Sequence, residues 1–352
     1  MAASLVIQTM KDQDSKSLPF HLRDNLRQNR RYVLRDIPGF VRSHAILHIF
    51  RNRLRKLAKE CPGSAEAINA IHFIAKQREI ESFPFYAAMA ILSAHASHPD
   101  AMLIVYGINM PKGQYWDLVR AQVRFVAVPP FKWFGPAPIL SGPQRLNIIR
   151  LLALFEIGGI VMDCDTLTLQ NMNGLAAWPF VLGTQPAIPG TRSTFGYTIL
   201  AGQTSSPFAN AWLSAYKSFD ASGGDLCEAL FTSELPMHLY ASDPSRAHIL
   251  PHFRWFFPLW HRVQNYLFDE QRSDDFLELT SDQYVLPLWS DVIGKSLEAW
   301  HPDMLMGHRC VYTTLCLAVL AALPEGVAQE VRDRLGWVDQ PHTVDLDKRY
   351  LA

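Results

Sequence analysis

The run from Pro143 to Asp165 constrains this chain more than any other stretch. It reads Pro143-Gln144-Arg145-Leu146-Asn147-Ile148-Ile149-Arg150-Leu151-Leu152-Ala153-Leu154-Phe155-Glu156-Ile157-Gly158-Gly159-Ile160-Val161-Met162-Asp163-Cys164-Asp165. Pro143 suits the first turn of a helix, and Gly158 suits its left-handed exit. Asn147 and Arg150, three apart, share one face of that helix. Ile160-Val161-Met162 then predict a strand that ends in two carboxylates. In an extended chain Asp163 and Asp165 point the same way. Such a pair offers hard oxygens to Mg²⁺ or Mn²⁺ alongside a substrate's phosphates. Read alone, the same three residues fit a solvated acidic turn equally well.

The flanking sequence predicts an α/β fold. Ala70–Ile74, Met102–Tyr106 and Val123–Val128 read as buried strands, with a helix over Pro84–Ala96 between the first two. Strands alternating with helices predict a mostly parallel sheet covered on both faces, with ligands beyond the carboxyl ends of its strands. At 352 residues, 49% hydrophobic and 19% charged, the chain can bury such a core, which excludes disorder as its main state. No internal repeat, Walker loop, G-x-G-x-x-G, G-x-S-x-G or basic–aromatic RNA motif is present, so a nucleic-acid partner is not expected.

The net charge of zero hides an asymmetry, because residues 1–60 hold 13 Lys/Arg against 5 Asp/Glu. Residues 21–60 read as helical around Pro38-Gly39, with Ile46, Ile49, Phe50, Leu54 and Leu57 as an apolar stripe between basic residues. Two readings follow: peripheral docking on an anionic membrane face, or a helix that packs on the body and shows a solvated basic face. Cys61-Pro62-Gly63-Ser64 breaks the pattern and marks a boundary. Five scattered cysteines without a C-x-x-C pair, no N-x-S/T sequon and no evident signal peptide point to a cytoplasmic setting, possible contact with the inner membrane face included. The longest apolar run, Val311–Leu323, is too short to span a bilayer. His44 and His48 have helical metal-ligand spacing but lack the Glu of H-E-x-x-H, and are expected at the surface.

The central block resembles the glycosyltransferases of the DXD sugar-binding family, which includes clostridial large glucosylating toxins and capsular-polysaccharide transferases. Asn147, Arg150, Gly158-Gly159 and Asp163-Cys164-Asp165 stand at that family's spacings. Ile71-His72-Phe73-Ile74, Phe83-Pro84-Phe85-Tyr86 and His98-Pro99-Asp100 echo its opening strand and helix, and Leu288-Trp289-Ser290 echoes its closing Trp motif. The resemblance spans about residues 70–300. It implies a GT-A fold, a Rossmann-like mixed sheet flanked by helices, as a catalytic domain over 65–300. A basic helical arm over 1–64 would precede it and a C-terminal helical extension over 301–352 would follow. It further implies transfer, with retention, from a nucleotide-sugar donor, a UDP-sugar, to a glycan or lipid-linked acceptor, with Mn²⁺ or Mg²⁺ as cofactor. Asp165 would coordinate the metal with Asp163 beside it. Asp163 would also bond ribose and sugar hydroxyls, Arg150 and Asn147 would hold the transferred sugar, and Trp289 would donate its indole N–H near the leaving phosphate. Ile74, on the opening strand, joins the donor-binding set.

The chain departs from that family in several places. Asn147 stands where Asp is usual, Ala75 lies near the place of a base-stacking aromatic residue, and Tyr284 and Pro287 replace further metal ligands. These departures keep a non-catalytic sugar- or nucleotide-binding relative as an alternative. A second alternative is a haloacid-dehalogenase-type phosphatase with Asp163 as nucleophile and Asp165 as acid/base. Leu167 and the long segment before the motif speak against it. His252-Phe253-Arg254-Trp255-Phe256-Phe257-Pro258-Leu259-Trp260-His261 reads either as an acceptor-sugar platform or as a buried loop completing the core.

Overall fold

Apolar strands without polar alternation must bury both faces, and the computed structural model shows Ala70–Ile74 and Met102–Gly107 doing so. Val123–Ala127, expected buried, is instead an edge strand, mostly half-buried with Arg124 exposed. The structure describes residues 33, 35–61, 66–75, 82–185, 193–217, 230–269, 282–305 and 307–335. In chain order, α1 (Ile37–Glu60) precedes β1 (Ala70–Ile74), α2 (Phe85–Ser97), β2 (Met102–Gly107), α3 (Gln114–Val119) and β3 (Val123–Ala127). The short pair β4 (Trp133–Phe134) and β5 (Ala137–Pro138) leads into α4 (Gly142–Glu156), β6 (Gly159–Asp163) and β7 (Thr166–Thr168). Next come β8 (Phe180–Gln185), β9 (Thr194–Gly202), α5 (Pro207–Lys217), α6 (Leu235–Ser242), β10 (His248–Leu250), α7 (His252–Trp255) and α8 (Val263–Phe268). The last elements are β11 (Val285–Pro287), α9 (Ser290–Ala299), α10 (Val311–Ala322) and α11 (Glu325–Leu335).

Among the described residues, seven strands form one sheet in the order β10-β8-β9-β6-β1-β2-β3. β6, β1, β2 and β3 run parallel, whereas β9 is antiparallel to both β6 and β8. The sheet is therefore mixed. Ile71, Phe73, Leu103, Val105, Ile160 and Met162 share one core with α2 and α10. Ala70, Ile74, Ile104, Tyr106 and Val161 share the other with α1, α4 and α5.

The basic helix belongs to this second core. It starts at Ile37, with Pro38 in its first turn and the Asp36 carboxylate accepting from Gly39 N at 3.1 Å, so Pro38-Gly39 opens the helix rather than interrupting it. Phe40, Leu47, Phe50 and Leu54 are buried, Ile46 and Leu57 are half-buried, and Ile49 is 53% exposed. The stripe expected to meet a membrane is thus largely spent on the sheet. Arg51 and Arg55 both bond Glu156 at the end of α4, at 2.6 and 2.9 Å through Nε. Arg42, Arg53, Lys56 and Lys59 form the exposed basic face. Residues 1–32 and 34 of the arm, Pro62-Gly63-Ser64 of the expected boundary, Cys227 and residues 336–352 lie outside the described residues. The apolar run Val311–Leu323 supplies α10, a core helix. No helix among the described residues is long and apolar enough to cross a membrane. Cys61, Cys164, Cys310 and Cys316 are free thiols.

Two buried histidines, one in a strand and one at a helix end, tie these elements to loops. His72, in the middle of β1 and wholly buried, lies 2.7 Å from the Gly158 carbonyl through Nε2 and 2.8 Å from the Tyr106 hydroxyl through Nδ1. A carbonyl only accepts, so Nε2 carries the proton and Nδ1 accepts from Tyr106. His98, 3% exposed, accepts from Met172 N through Nε2 at 2.8 Å. Burial lowers each imidazole from 6.5 to about 4. The unfolded chain therefore takes up these protons near pH 6.5 and the folded chain only near pH 4. Stability falls as the pH drops through that window, by about 1.4 kcal/mol per unit for each histidine. His72→Gln, which keeps a donor for Gly158 and an acceptor for Tyr106, should remove about one proton from the acid dependence. Urea unfolding at a series of pH values checks this, and an unchanged slope in the variant contradicts it.

Candidate active site

The site is assembled from the exit of α4 onward. Ser141 caps the helix, its hydroxyl accepting from Gln144 N at 3.3 Å. The helix ends because Gly158 and Gly159 both adopt positive φ, +80° and +100°. A Cβ on Gly159 would lie 2.1 Å from the Ala70 carbonyl oxygen, so only glycine lets β6 start this close to β1. The Gly-Gly pair thereby sets the register in which Ile71 pairs with Ile160 and Ile74 with Asp163. His72 braces the same turn through the Gly158 carbonyl.

At the carboxyl end of β6, Asp163 Oδ1 is paired with Arg150 Nη2. The Arg150 side chain is 2% exposed and that of Asp163 29%, so the cation lies beneath the carboxylate. The guanidinium also faces the Tyr197 ring of β9, 5.5 Å from its centroid. One turn earlier, Asn147 is wholly buried and donates through Nδ2 to the Tyr216 hydroxyl at 2.8 Å. Arg150 Nε and Nη1 and Asn147 Oδ1 are buried without a hydrogen-bond partner among the described residues. The expected shared face of α4 is present, with Arg150 meeting Asp163 and Asn147 meeting Tyr216.

Cys164 and Asp165 form a turn between β6 and β7. The two carboxylates are thus not aligned along an extended strand, as the alternation of side chains predicted. They remain electrostatically close. Burial raises Asp163 to about 6, Arg150 opposes the rise, and the negative charge of Asp165 adds to it. Proton uptake by Asp163 between pH 6 and 3.8 favours the folded chain, which offsets part of the histidine loss described above. Burial, then the two carboxylates, push the intervening Cys164 thiol well up.

The second half of the site arrives from far along the chain. β7 pairs antiparallel with β11, placing Thr166 opposite Pro287. Leu288 N then donates to the Asp165 carbonyl at 2.8 Å, and Ser290 donates to Asp165 Oδ2 from both N (2.8 Å) and Oγ (2.6 Å). Among the described residues, Asp165 Oδ1 has no recorded partner. Trp289, between them, holds left-handed backbone angles (φ 51°, ψ 50°), a strained conformation for a bulky side chain. Its indole N–H, expected near a leaving phosphate, donates instead to the Pro258 carbonyl at 2.8 Å. Tyr86 of α2 stands beside Ser290, and burial pushes its phenol up to about 12.

Ile74 is 3% exposed, and its carbonyl accepts from Cys164 N at 3.3 Å. Ala75, 4% exposed, donates its N–H to the Tyr106 carbonyl. Tyr284 is half-buried with Arg254 over its ring at 5.1 Å, and Pro287 is buried. Among the described residues, no group of three or more His, Cys, Asp or Glu is arranged to hold a metal. His44 Nδ1 meets the Phe40 carbonyl of its own helix. Ser290, His72 and Tyr197 had no assigned role in the sequence reading. Only the position of Ser290 after the Trp motif signalled it.

A mixed α/β sheet thus carries a D-x-D turn at the carboxyl end of β6, closed by the Trp289-Ser290 segment. No family model matches the chain. It is similar to Glucan organizing enzyme 1 of Cryptococcus neoformans var. grubii serotype A, 24% identical over 248 residues. That alignment covers 67% of this chain and 66% of the relative, so the chain spans just under two thirds of the relative's length. Among solved structures it is similar to PaToxG Glycosyltransferase, with a TM-score of 0.36 and 17% identity over 80% of this chain and 97% of that one.

Proposed function

We propose that this chain is a divalent-metal-dependent glycosyltransferase that moves a sugar from a nucleotide-sugar donor, a UDP-sugar, to a glycan acceptor. The observation that carries the reading is the pair Asp163 and Asp165 at the end of β6, one carboxylate held from below by Arg150 and the other clamped by Ser290. The donor set fits Mn²⁺ or Mg²⁺. Among the described residues Asp165 Oδ1 has no recorded partner, burial and then the charge of Asp165 raise Asp163, and such ions are commonly held by one or two carboxylates plus substrate phosphates. Two carboxylates, with no third His, Cys, Asp or Glu grouped with them among the described residues, match that coordination. When bound, the cation would stabilise negative charge growing on the leaving diphosphate.

This chain's own residues do the rest. Ser290 fixes the rotamer of Asp165, so its free oxygen is aimed before any ligand arrives. Arg150, itself packed against Tyr197, fixes Asp163, whose 29% exposed carboxylate accepts sugar or ribose hydroxyls. Retention of anomeric configuration is proposed with the family resemblance, and the name of the relative supports a glucan as acceptor. Any membrane contact would use the exposed basic face of α1, because its apolar stripe is buried.

A hydrolysis screen of nucleotide sugars with Mn²⁺, with and without EDTA, tests the reading. Metal-dependent release of nucleotide diphosphate supports it. Cleavage of p-nitrophenyl phosphate alone would favour a phosphatase, and binding without turnover a non-catalytic relative. The cation and the proton also compete for Asp163. Mn²⁺ affinity should fall as the pH drops through about 6, by up to roughly tenfold per unit. Calorimetry below pH 6 in two buffers of different ionisation enthalpy measures the released proton, and no release would remove Asp163 from the cation site.

A further inference from the structure

The segment His252–His261 is neither wholly core nor wholly surface. Trp255 and Phe256 are buried, and Phe256 lies in a slot between β8 and β9. Gly183 and Gly196 face each other across that pair, and a Cβ on either would come within 2.7 or 2.2 Å of the Phe256 ring. The two buried rings anchor one end of the segment. The Pro258 carbonyl, held by the Trp289 indole at 2.8 Å, anchors the other. Two residues beyond that anchor Trp260 stands 38% exposed, with His261 in T-shaped contact at 5.3 Å and Arg262 exposed beside it. A second exposed indole, Trp178, differs in being covered, since His248 stacks flat on it at 4.2 Å.

We propose that Trp260, with His261 and Arg262 beside it, is the stacking platform for a hexose unit of the acceptor glycan. A pyranose has an apolar C–H face and a polar rim, so an aromatic face flanked by hydrogen-bonding side chains matches it. The placement is what ties the platform to the reaction. Ser290 holds Asp165, its neighbour Trp289 holds Pro258, and Trp260 lies two residues further. A sugar on Trp260 would therefore sit two residues from the carbonyl held by Trp289, the neighbour of the residue that clamps Asp165. The inference rests on the glycosyltransferase reading for the word acceptor, but the sugar platform itself does not.

The test titrates the full chain with β-1,3-, β-1,4- and α-1,4-linked glucose hexasaccharides by calorimetry, in parallel with UDP-glucose hydrolysis in Mn²⁺. At least one hexasaccharide should bind. Trp260→Ala should weaken that binding by roughly tenfold or more, and Trp260→Phe should retain it within about threefold. Trp178→Ala should bind as the unaltered chain does. The platform is overturned if no hexasaccharide binds, or if Trp260→Ala, with its near-ultraviolet circular dichroism otherwise native, binds as tightly as the unaltered chain. Hexasaccharide binding through Trp260 without any nucleotide-sugar turnover would sink the catalytic reading and leave a glycan-binding platform.

Discussion

Asp165→Asn should lower metal-dependent donor turnover by about 10³-fold, the scale on which losing one stabilising group of a transition-state charge acts. The substitution is informative because it separates two tasks of one side chain. Asn keeps an oxygen to accept from Ser290 N and Oγ, so the closing segment stays docked. The structural cost is then limited to a weaker, uncharged acceptor, roughly 1–2 kcal/mol. What is lost is the anionic oxygen that faces away from Ser290. Removing that charge also relieves Asp163, whose pKa near 6 is raised in part by Asp165. Its titration should move to lower pH in the variant, readable by carboxyl-detected NMR. Turnover within a few-fold of the unaltered chain would remove Asp165 from the mechanism. An unmoved Asp163 titration would show that the two carboxylates are not electrically coupled.

The local half of this site was legible in the sequence for identifiable reasons. Pro143, Gly158 and Gly159 each encode a backbone conformation, so the helix, its left-handed exit and the start of β6 followed from residue type alone. The acidic ending of an apolar strand was equally visible. The geometry of the D-x-D was not, because alternation holds only within a strand and Cys164-Asp165 form a turn. Ser290 escaped assignment for a different reason. Its bond to Asp165 spans 125 residues and depends on the register of β7 with β11, which no local pattern specifies.

The basic helix shows the same limit on a larger scale. Its periodicity was correct, but a stripe of apolar residues does not say whether lipid or protein will cover it. Phe50 and Leu54 are buried against the sheet because β1, β2 and β3 present an uncovered face there, a fact of topology. His72 is likewise invisible as a brace. In sequence it is one polar residue in an apolar strand, and only the turn at Gly158 shows what it bonds.

The buried pair Arg150–Asp163 should respond asymmetrically to substitution. Asp163→Leu leaves a guanidinium that is 2% exposed without its counter-charge, and Nε and Nη1 already lack partners. Arginine does not escape by losing its proton, so the expected cost is about 3–5 kcal/mol. Arg150→Met leaves a carboxylate that is 29% exposed and free to protonate, and the expected cost is smaller, about 1–3 kcal/mol. Loss of the cation removes the influence that holds Asp163 down, so its pKa should climb beyond about 6. The pH at which Mn²⁺ binding is half-maximal should then shift upward in Arg150→Met. The double substitution, which replaces the pair by apolar groups of similar length, should recover much of the stability lost in Asp163→Leu while remaining inactive. Urea unfolding of the three variants measures the first effect and Mn²⁺ titration against pH the second. Equal costs for the two single substitutions, with no recovery in the double, would mean that Arg150 is held by its contact with Tyr197 rather than by Asp163.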